Sequence, residues 1–441
     1  MKEFCDDQTI GRCFDLLGDI ESNLAHPDLA WKQYSQALEY YTRAKDVPHL
    51  VQLYRKLKAH LSEDIDQHLK LTKEILGTIM EEKEIGDFRS ILLRDRIQLL
   101  LRKEEYKAAL AHSLELWHIL MTVYQPRLKV QLAFYFGEIY SRMGKWDLAL
   151  SHLKKLNSDL YVIHRPELHI QSLIQLGMIY KEQALYGDAQ KILEEGMQIC
   201  FRHGFHEQMN EIKLHLGHIY LLVHGLLRAH ETLNEVVEWS AKNQKLNIQF
   251  LARLYLAYYE IQHGRFEKAR MMLSRVKKLL NMSNNLIDYL NYLFYLTIWA
   301  LETERYSRAE KIIEVLQQKS RNYPRYQAAG YFLSGRYLHL TGNFQDAEKA
   351  LSKALAISNK RNFPYIRYLT LCERARMSLH SDSPKSITHR FRQACDHILE
   401  LSRRIDDRIL GTQFLESGFH EDILEYCRAN KILRGKETNN D

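Results

Sequence analysis

Apolar residues fall at three- and four-residue intervals along most of the chain, and that spacing predicts helices throughout. Between residues 46 and 85, Leu53, Tyr54, Leu57 and Leu61 mark one apolar stripe, and Leu69, Leu71, Ile75 and Leu76 a second. No stretch alternates apolar and polar residues between turn signals, so no sheet is expected. A longer period lies over the helical one. Gly137, Tyr140, Gly144, Trp146, Ala149, Leu153 and Leu156 describe a helix, a tight turn and a second helix. Gly177, Tyr180 and Ala189 repeat that frame forty residues on, and Gly217, Tyr220 and Ala229 repeat it again.

The alanines carry the register most clearly. Ala109, Ala149, Ala189, Ala229, Ala269 and Ala309 are spaced by forty, Ala347 follows at thirty-eight, and Ala30 lies close to two periods before Ala109. A fixed period of this kind marks a solenoid, in which each unit buries its apolar face only against its neighbours. The fold class predicted is therefore all-α: a right-handed α-solenoid (superhelix) of antiparallel helix hairpins. Smallness is the requirement at the alanine, because a larger side chain where two helices cross would push them apart. Gly18, Gly137, Gly177, Gly217 and Gly335 meet the same need on the facing helix.

The expected organisation is a lead-in over residues 1–13 and about nine hairpins over 14–360. A degenerate final repeat and cap follow over 361–433, then a disordered tail over 434–441. Residues 46–85 match the register least well, with Lys70 in the alanine position. Pro126 and Pro166 stand where units begin, as proline's tolerance in the first helical turn allows.

Composition changes little in this picture. In 441 residues, 62 basic against 55 acidic side chains leave a net charge of +7, a weak bias for so long a chain. Cys5, Cys13, Cys200, Cys372, Cys395 and Cys427 are scattered without metal-like spacing, which suits reduced thiols in a cytoplasmic protein. No apolar run is long enough to span a bilayer.

The spacing within a unit resembles the tetratricopeptide motif, carried by Gly137, Tyr140, Gly144, Trp146, Ala149 and Leu153, and again by Gly335, Gly342, Phe344, Ala347, Leu351 and Ala354. The resemblance covers roughly residues 14–360. Units near forty residues lengthen the usual helices by about one and a half turns, and the motif's first-helix Trp is absent. Arrays of this length resemble the regulatory or sensor segments of bacterial signalling proteins, such as the maltose-regulon type of activator. The resemblance implies a non-catalytic interaction scaffold or regulatory module that binds a protein or peptide in its concave groove. A small-effector sensor within a multidomain signal-transduction or transcription regulator is the alternative, and a helical-repeat phosphatase ranks behind both.

In the family, the first helix of each hairpin lines the groove. The register carries that role to Arg94, Gln98 and Arg102; Glu138 and Arg142; Lys181 and Glu182; His218; Tyr258 and Gln262; and Arg336 and His339. A few convergent polar groups on a concave wall are what orient a ligand. Six histidines fall between His203 and His230. His215 and His218 share a helix face, but no carboxylate or Cys completes a metal site. The basic stretch Lys385–Arg408 interleaves Asp396, Glu400, Asp406 and Asp407 and reads as a solvated face, so nucleic acid and membrane are not expected partners. No nucleophile elbow, phosphate loop or metalloprotease motif occurs, and no cofactor or metal is expected.

Overall fold

A computed structural model describes residues 6–60, 64–79, 86–103, 105–159, 162, 164–283 and 285–432. All its regular elements are α-helices, and no strand occurs among the described residues. The chain divides into two compact bodies, Met1–Met143 and Gly144–Asp441. The first contains α1 (Asp7–Asn23), α2 (Pro27–Arg43), α3 (Val47–His60), α4 (Ile65–Ile79), α5 (Gly86–Arg102), α6 (Tyr106–Thr122) and α7 (Pro126–Arg142). The second opens with α8 (Trp146–Asn157), α9 (Pro166–Glu182), α10 (Tyr186–His203), α11 (His206–Leu222) and α12 (Leu226–Lys242). It continues through α13 (Leu246–Gln262), α14 (Phe266–Ser283), α15 (Leu286–Glu302), α16 (Tyr306–Lys319), α17 (Pro324–Leu340) and α18 (Phe344–Arg361). It ends with α19 (Pro364–Ser381), α20 (Pro384–Ser402), α21 (Arg408–Leu415) and α22 (Glu421–Ala429). The predicted fourth hairpin falls across the division, and α1 begins inside the expected lead-in. Of the expected tail, 434–441 lies outside the described residues.

Within each body, consecutive helices pack as antiparallel pairs, and each pair packs on the next. The alanine register is the reason they fit. Ala30, Ala109, Ala149, Ala189, Ala229, Ala269, Ala309 and Ala347 all have no exposed surface. The facing glycines are as tight. A Cβ on Gly177 would stand 2.6 Å from Leu193, and one on Gly335 2.5 Å from Leu351, closer than carbon atoms approach.

Five hairpins of the second body turn in the same way. Leu185, Gly225, Arg265, Arg305 and Asn343 donate their backbone N–H to the carbonyls of Tyr180, Tyr220, Glu260, Ala300 and Leu338, at 2.8–2.9 Å. This six-to-one bond is the Schellman closure of a helix end, and it requires a left-handed residue just before the donor. That residue is Ala184, His224, Gly264, Glu304 and Gly342 in turn, with φ between 53° and 82°. Only two of the five are glycine, so the others hold a conformation that disfavours L side chains by roughly 1–2 kcal/mol. Exposed Glu304 is the simplest to relieve. Glu304→Gly is expected to raise stability by about 0.5–1 kcal/mol after glycine's own entropy loss, and Gly264→Ala to lower it similarly, both measured by chemical denaturation.

The second body closes on itself. Trp146 donates from its indole N–H to the Arg361 carbonyl at 2.9 Å, and Gln183 donates to the Asn362 carbonyl at 3.1 Å. Gly187 N–H bonds the Arg404 carbonyl at 2.9 Å, and Arg228 pairs with Asp407 at 2.6 Å. His224 lies 6.0 Å from the rings of both Phe414 and Phe419. The turns of α9–α10 and α11–α12 thus carry the strap formed by residues 403–420. The stretch read as a solvated basic face is in part structural: Arg390 pairs with Glu348 and Asp382, and Arg404 donates to the Gln183 carbonyl.

Candidate functional site

Closure brings the first helices of the second body face to face. Their interior residues meet across sequence separations of 77, 107 and 143. On α9, Lys181 keeps only 6% of its side chain exposed and stands 3.3 Å from His218 Nδ1 on α11. An ammonium can only donate, so Nδ1 accepts, and the ring proton sits on Nε2, which faces the Tyr295 hydroxyl of α15 at 3.4 Å. The His218 ring also lies flat on Tyr255, with centroids 3.9 Å apart. The Tyr258 ring of α13 lies tilted against Tyr295 with centroids 5.0 Å apart, and its hydroxyl meets the Tyr365 hydroxyl of α19 at 3.4 Å.

Beside this aromatic wall lies a charged group. Glu182 Oε1 accepts from Arg325 Nη1 at 2.9 Å and stands 3.8 Å from Lys181 Nζ, too far for a hydrogen bond. A small cavity of about 20 Å³ is lined by Lys181, Glu182 and Arg325 on the polar side and by Leu222, Phe363, Tyr365 and Ile366 on the apolar side. Burial pulls the Lys181 ammonium down to about 8, with Glu182 resisting and Arg325 adding to the fall. Burial works against the Arg325 charge as well, but the Glu182 carboxylate holds the guanidinium above its ordinary range. Burial pushes His215 down to about 3 and His218 well below its ordinary value, in both cases with Lys181 next in effect, so both imidazoles are neutral near pH 7.

The remaining expected residues of this body form two further groups. Gln262 is half-buried beside the Tyr258 hydroxyl. Arg336 pairs with Glu302 at 2.6 Å, and His339 bonds Glu373 at 2.6 Å, with Arg336 3.8 Å from the same carboxylate. Burial opposes the charge of Glu373, yet His339 and Arg336 hold its carboxyl below the usual range.

In the first body, Arg94 donates to the neighbouring Asp95 at 2.8 Å. Asp95 is buried and also accepts from Tyr54 at 2.8 Å and Lys58 at 2.6 Å. Gln98 bonds Tyr135. Arg102 and Arg142 are exposed and Glu138 is half-buried.

Periodicity marked α9, α11, α13, α15 and α17 as one class of helix, and the family resemblance drew attention to Lys181, Glu182, His218 and Tyr258 on them. Both missed Arg325, Tyr295, Tyr365, Glu373 and Asp95. Arg325 could not have been paired with Glu182 from the sequence, because only closure of the second body brings residues 143 apart together. Asp95 had a weak local signal, a carboxylate on the helical face one residue from Arg94.

No family model matches the sequence, and no curated relative matches it. Solved structures do. A Rap protein complexed with competence and sporulation factor is 13% identical, with a TM-score of 0.61, covering 82% of this chain and 99% of its own. Aspartyl phosphate phosphatase F from Bacillus subtilis is 14% identical, with a TM-score of 0.54, over 81% of this chain and 96% of its own. NprR in complex with its cognate peptide NprX is 13% identical, with a TM-score of 0.52, over 78% and 98%. At these identities the likeness is one of fold: this is a helical-repeat solenoid of the tetratricopeptide type.

Proposed function

We propose that the chain is a non-catalytic regulatory scaffold that binds a peptide or protein segment on the inward faces of its first helices. The observation that carries this reading is the polar and aromatic cluster of Lys181, Glu182, His218, Tyr258, Tyr295 and Arg325, drawn from five first helices. Packing alone would fill such a place with aliphatic residues, since enclosed charges cost free energy unless fully paired. Likeness to a Rap protein and to NprR, each solved with a bound factor or peptide, agrees with it. Residues 403–420, held against the hairpin turns, are then a candidate element for the partner to move. The same reading puts the protein in the cytoplasm, where the buried thiols of Cys200, Cys372, Cys395 and Cys427 stay reduced.

A small-effector sensor is the second reading, favoured by two cations, Lys181 and Arg325, that line one cavity beside the single carboxylate of Glu182 and would suit a small anion. Panning a phage-displayed peptide library decides between them. Enriched peptides are expected to bind the wild type and Lys191→Ala alike and to weaken about tenfold or more on Tyr258→Ala. No enrichment over scrambled sequences, or equal binding by all three proteins, removes the peptide reading.

A further inference from the structure

Three cysteines are buried beneath the last helices of the second body: Cys372 on α19, Cys395 on α20 and Cys427 on α22. The packing of α22 on α20 brings the last two together. The Phe391 and Tyr426 rings lie with centroids 3.9 Å apart, and the Cys427 thiol donates to the Phe391 carbonyl at 3.5 Å. Within a helix that carbonyl accepts the N–H of residue 395, one turn on. Phe391 and Cys395 share a face of α20, so the Cys427 sulfur stands over the turn that carries Cys395.

The surroundings set the buried thiols apart. A hydrogen bond from Cys395 holds the Cys427 thiol below its ordinary range, against the effect of burial. Burial pushes Cys372 up to about 12 and Cys200 up to about 11. The thiolate is the reactive form, and Cys427 reaches it more readily than either of these. Its helix also lifts more readily. α22 has nine residues and packs mainly on α20 and α19, whereas α19 has eighteen and is held between α18 and α20. Short elements with few packed neighbours open locally at lower free energy than the core. Opening admits a small oxidant, and reclosing returns the sulfur to Cys395.

We propose that Cys427 and Cys395 are an oxidisable thiol pair, which a hydroperoxide closes into a disulfide that locks the strap of residues 403–420. This inference goes beyond the binding function proposed above and does not rest on it. The Cys427 thiol gives its proton to water, and its sulfur attacks one peroxide oxygen. The O–O bond breaks, and the leaving oxygen takes up that proton as water or an alcohol. The Cys395 sulfur then attacks the sulfenic acid. An S–S bond forms as the S–O bond breaks, and hydroxide leaves with the Cys395 proton as a second molecule of water. The bond ties α20 to α22 on either side of the strap. In a reducing compartment it is transient, since thiols are restored there.

The full-length protein is treated with hydrogen peroxide, its remaining thiols are alkylated, and it is digested with trypsin without reductant. Cys372, Cys395 and Cys427 fall on separate tryptic peptides, 368–374, 393–403 and 409–428. Mass spectrometry is expected to find 393–403 joined to 409–428 at about tenfold over the sulfinic acid of Cys427, and dithiothreitol to separate them. Cys427→Ser should remove the joined pair, and the wild-type map decides should that variant melt early. In brief digestion of the native protein, cleavage after Arg408 is expected to be about tenfold slower in the oxidised form than in the reduced one. Exposed Cys13 shows that the peroxide has acted. Its oxidation with Cys427 unchanged overturns the pair, as does sulfinic acid as the main product of Cys427, or 368–374 joined to 393–403 instead. The expected bond with unchanged cleavage after Arg408 overturns the lock on the strap.

Discussion

Lowering the pH from about 7 to about 4.5 is expected to remove several kcal/mol of stability, through histidines buried in their neutral form. Burial holds His215 and His224 at about 3 and His420 at about 4, and His218 well below its ordinary value. In the unfolded chain these imidazoles titrate near 6.5. Between about 6.5 and 4 the unfolded state therefore binds more protons than the folded one. Stability then rises with pH in that window and falls as the pH drops. Each such group costs about 1.4 kcal/mol per pH unit below 6.5. His215, His224 and His420 together would cost on the order of 8 kcal/mol at pH 4.5, less whatever local opening relieves, against a typical total of about 5–15 kcal/mol, and His218 acts in the same direction. His224 and His420, with ring centroids 6.1 Å apart, add mutual repulsion to the loss and should release residues 403–420 first. Melting followed by circular dichroism across this range is the check. A melting temperature that stays flat down to pH 4.5 would show that these imidazoles are not held neutral. His215→Leu combined with His224→Asn should flatten the slope, the asparagine being chosen because position 224 is left-handed.

Ala189→Trp is expected to destabilise the protein by about 3 kcal/mol or more. The alanine has no exposed surface and lies where α9 and α10 cross, with Gly177 against Leu193 at the same crossing. An indole cannot be absorbed there without parting the two helices, and overpacking typically costs about 1–3 kcal/mol before any larger rearrangement. Because a solenoid unit is buried only by its neighbours, the strain should pass to the adjoining pairs and broaden the unfolding transition. Lys191→Ala, two residues away and exposed, should change stability by less than about 0.5 kcal/mol. Equal melting temperatures for the two variants would mean that the alanine does not sit at the crossing.

The helices, their pairing and the residues at their crossings could all be read along the chain, because each rests on contacts between positions fewer than about forty apart. Ala189 and Gly177 show how local that information is: a small residue every forty positions states where helices touch. Pro166 and Pro324 similarly mark the first turns of α9 and α17. The turns were only half legible. Gly144, Gly264 and Gly342 signal the left-handed position, whereas Ala184, His224 and Glu304 occupy it without any compositional hint.

Periodicity by itself determined the repeat and the class of each helix, and the family resemblance gave the inward expectation for Lys181, His218 and Tyr258. How far those faces curve was decided only in three dimensions. A small rotation at each crossing is invisible in any one repeat, yet over several repeats it determines whether the inner wall stays open or meets itself. In the second body it meets itself, which places Arg325 on Glu182, Tyr365 on Tyr258 and the 403–420 strap on the turns of α9–α10 and α11–α12. Enclosure changed what the expected residues are: a lysine read as a groove cation is nearly dry and short of partners, and neighbouring histidines are held neutral. Desolvation and charge pairing depend on every atom nearby, and those atoms include Tyr295, 77 positions from His218, and Arg325, 143 positions from Glu182.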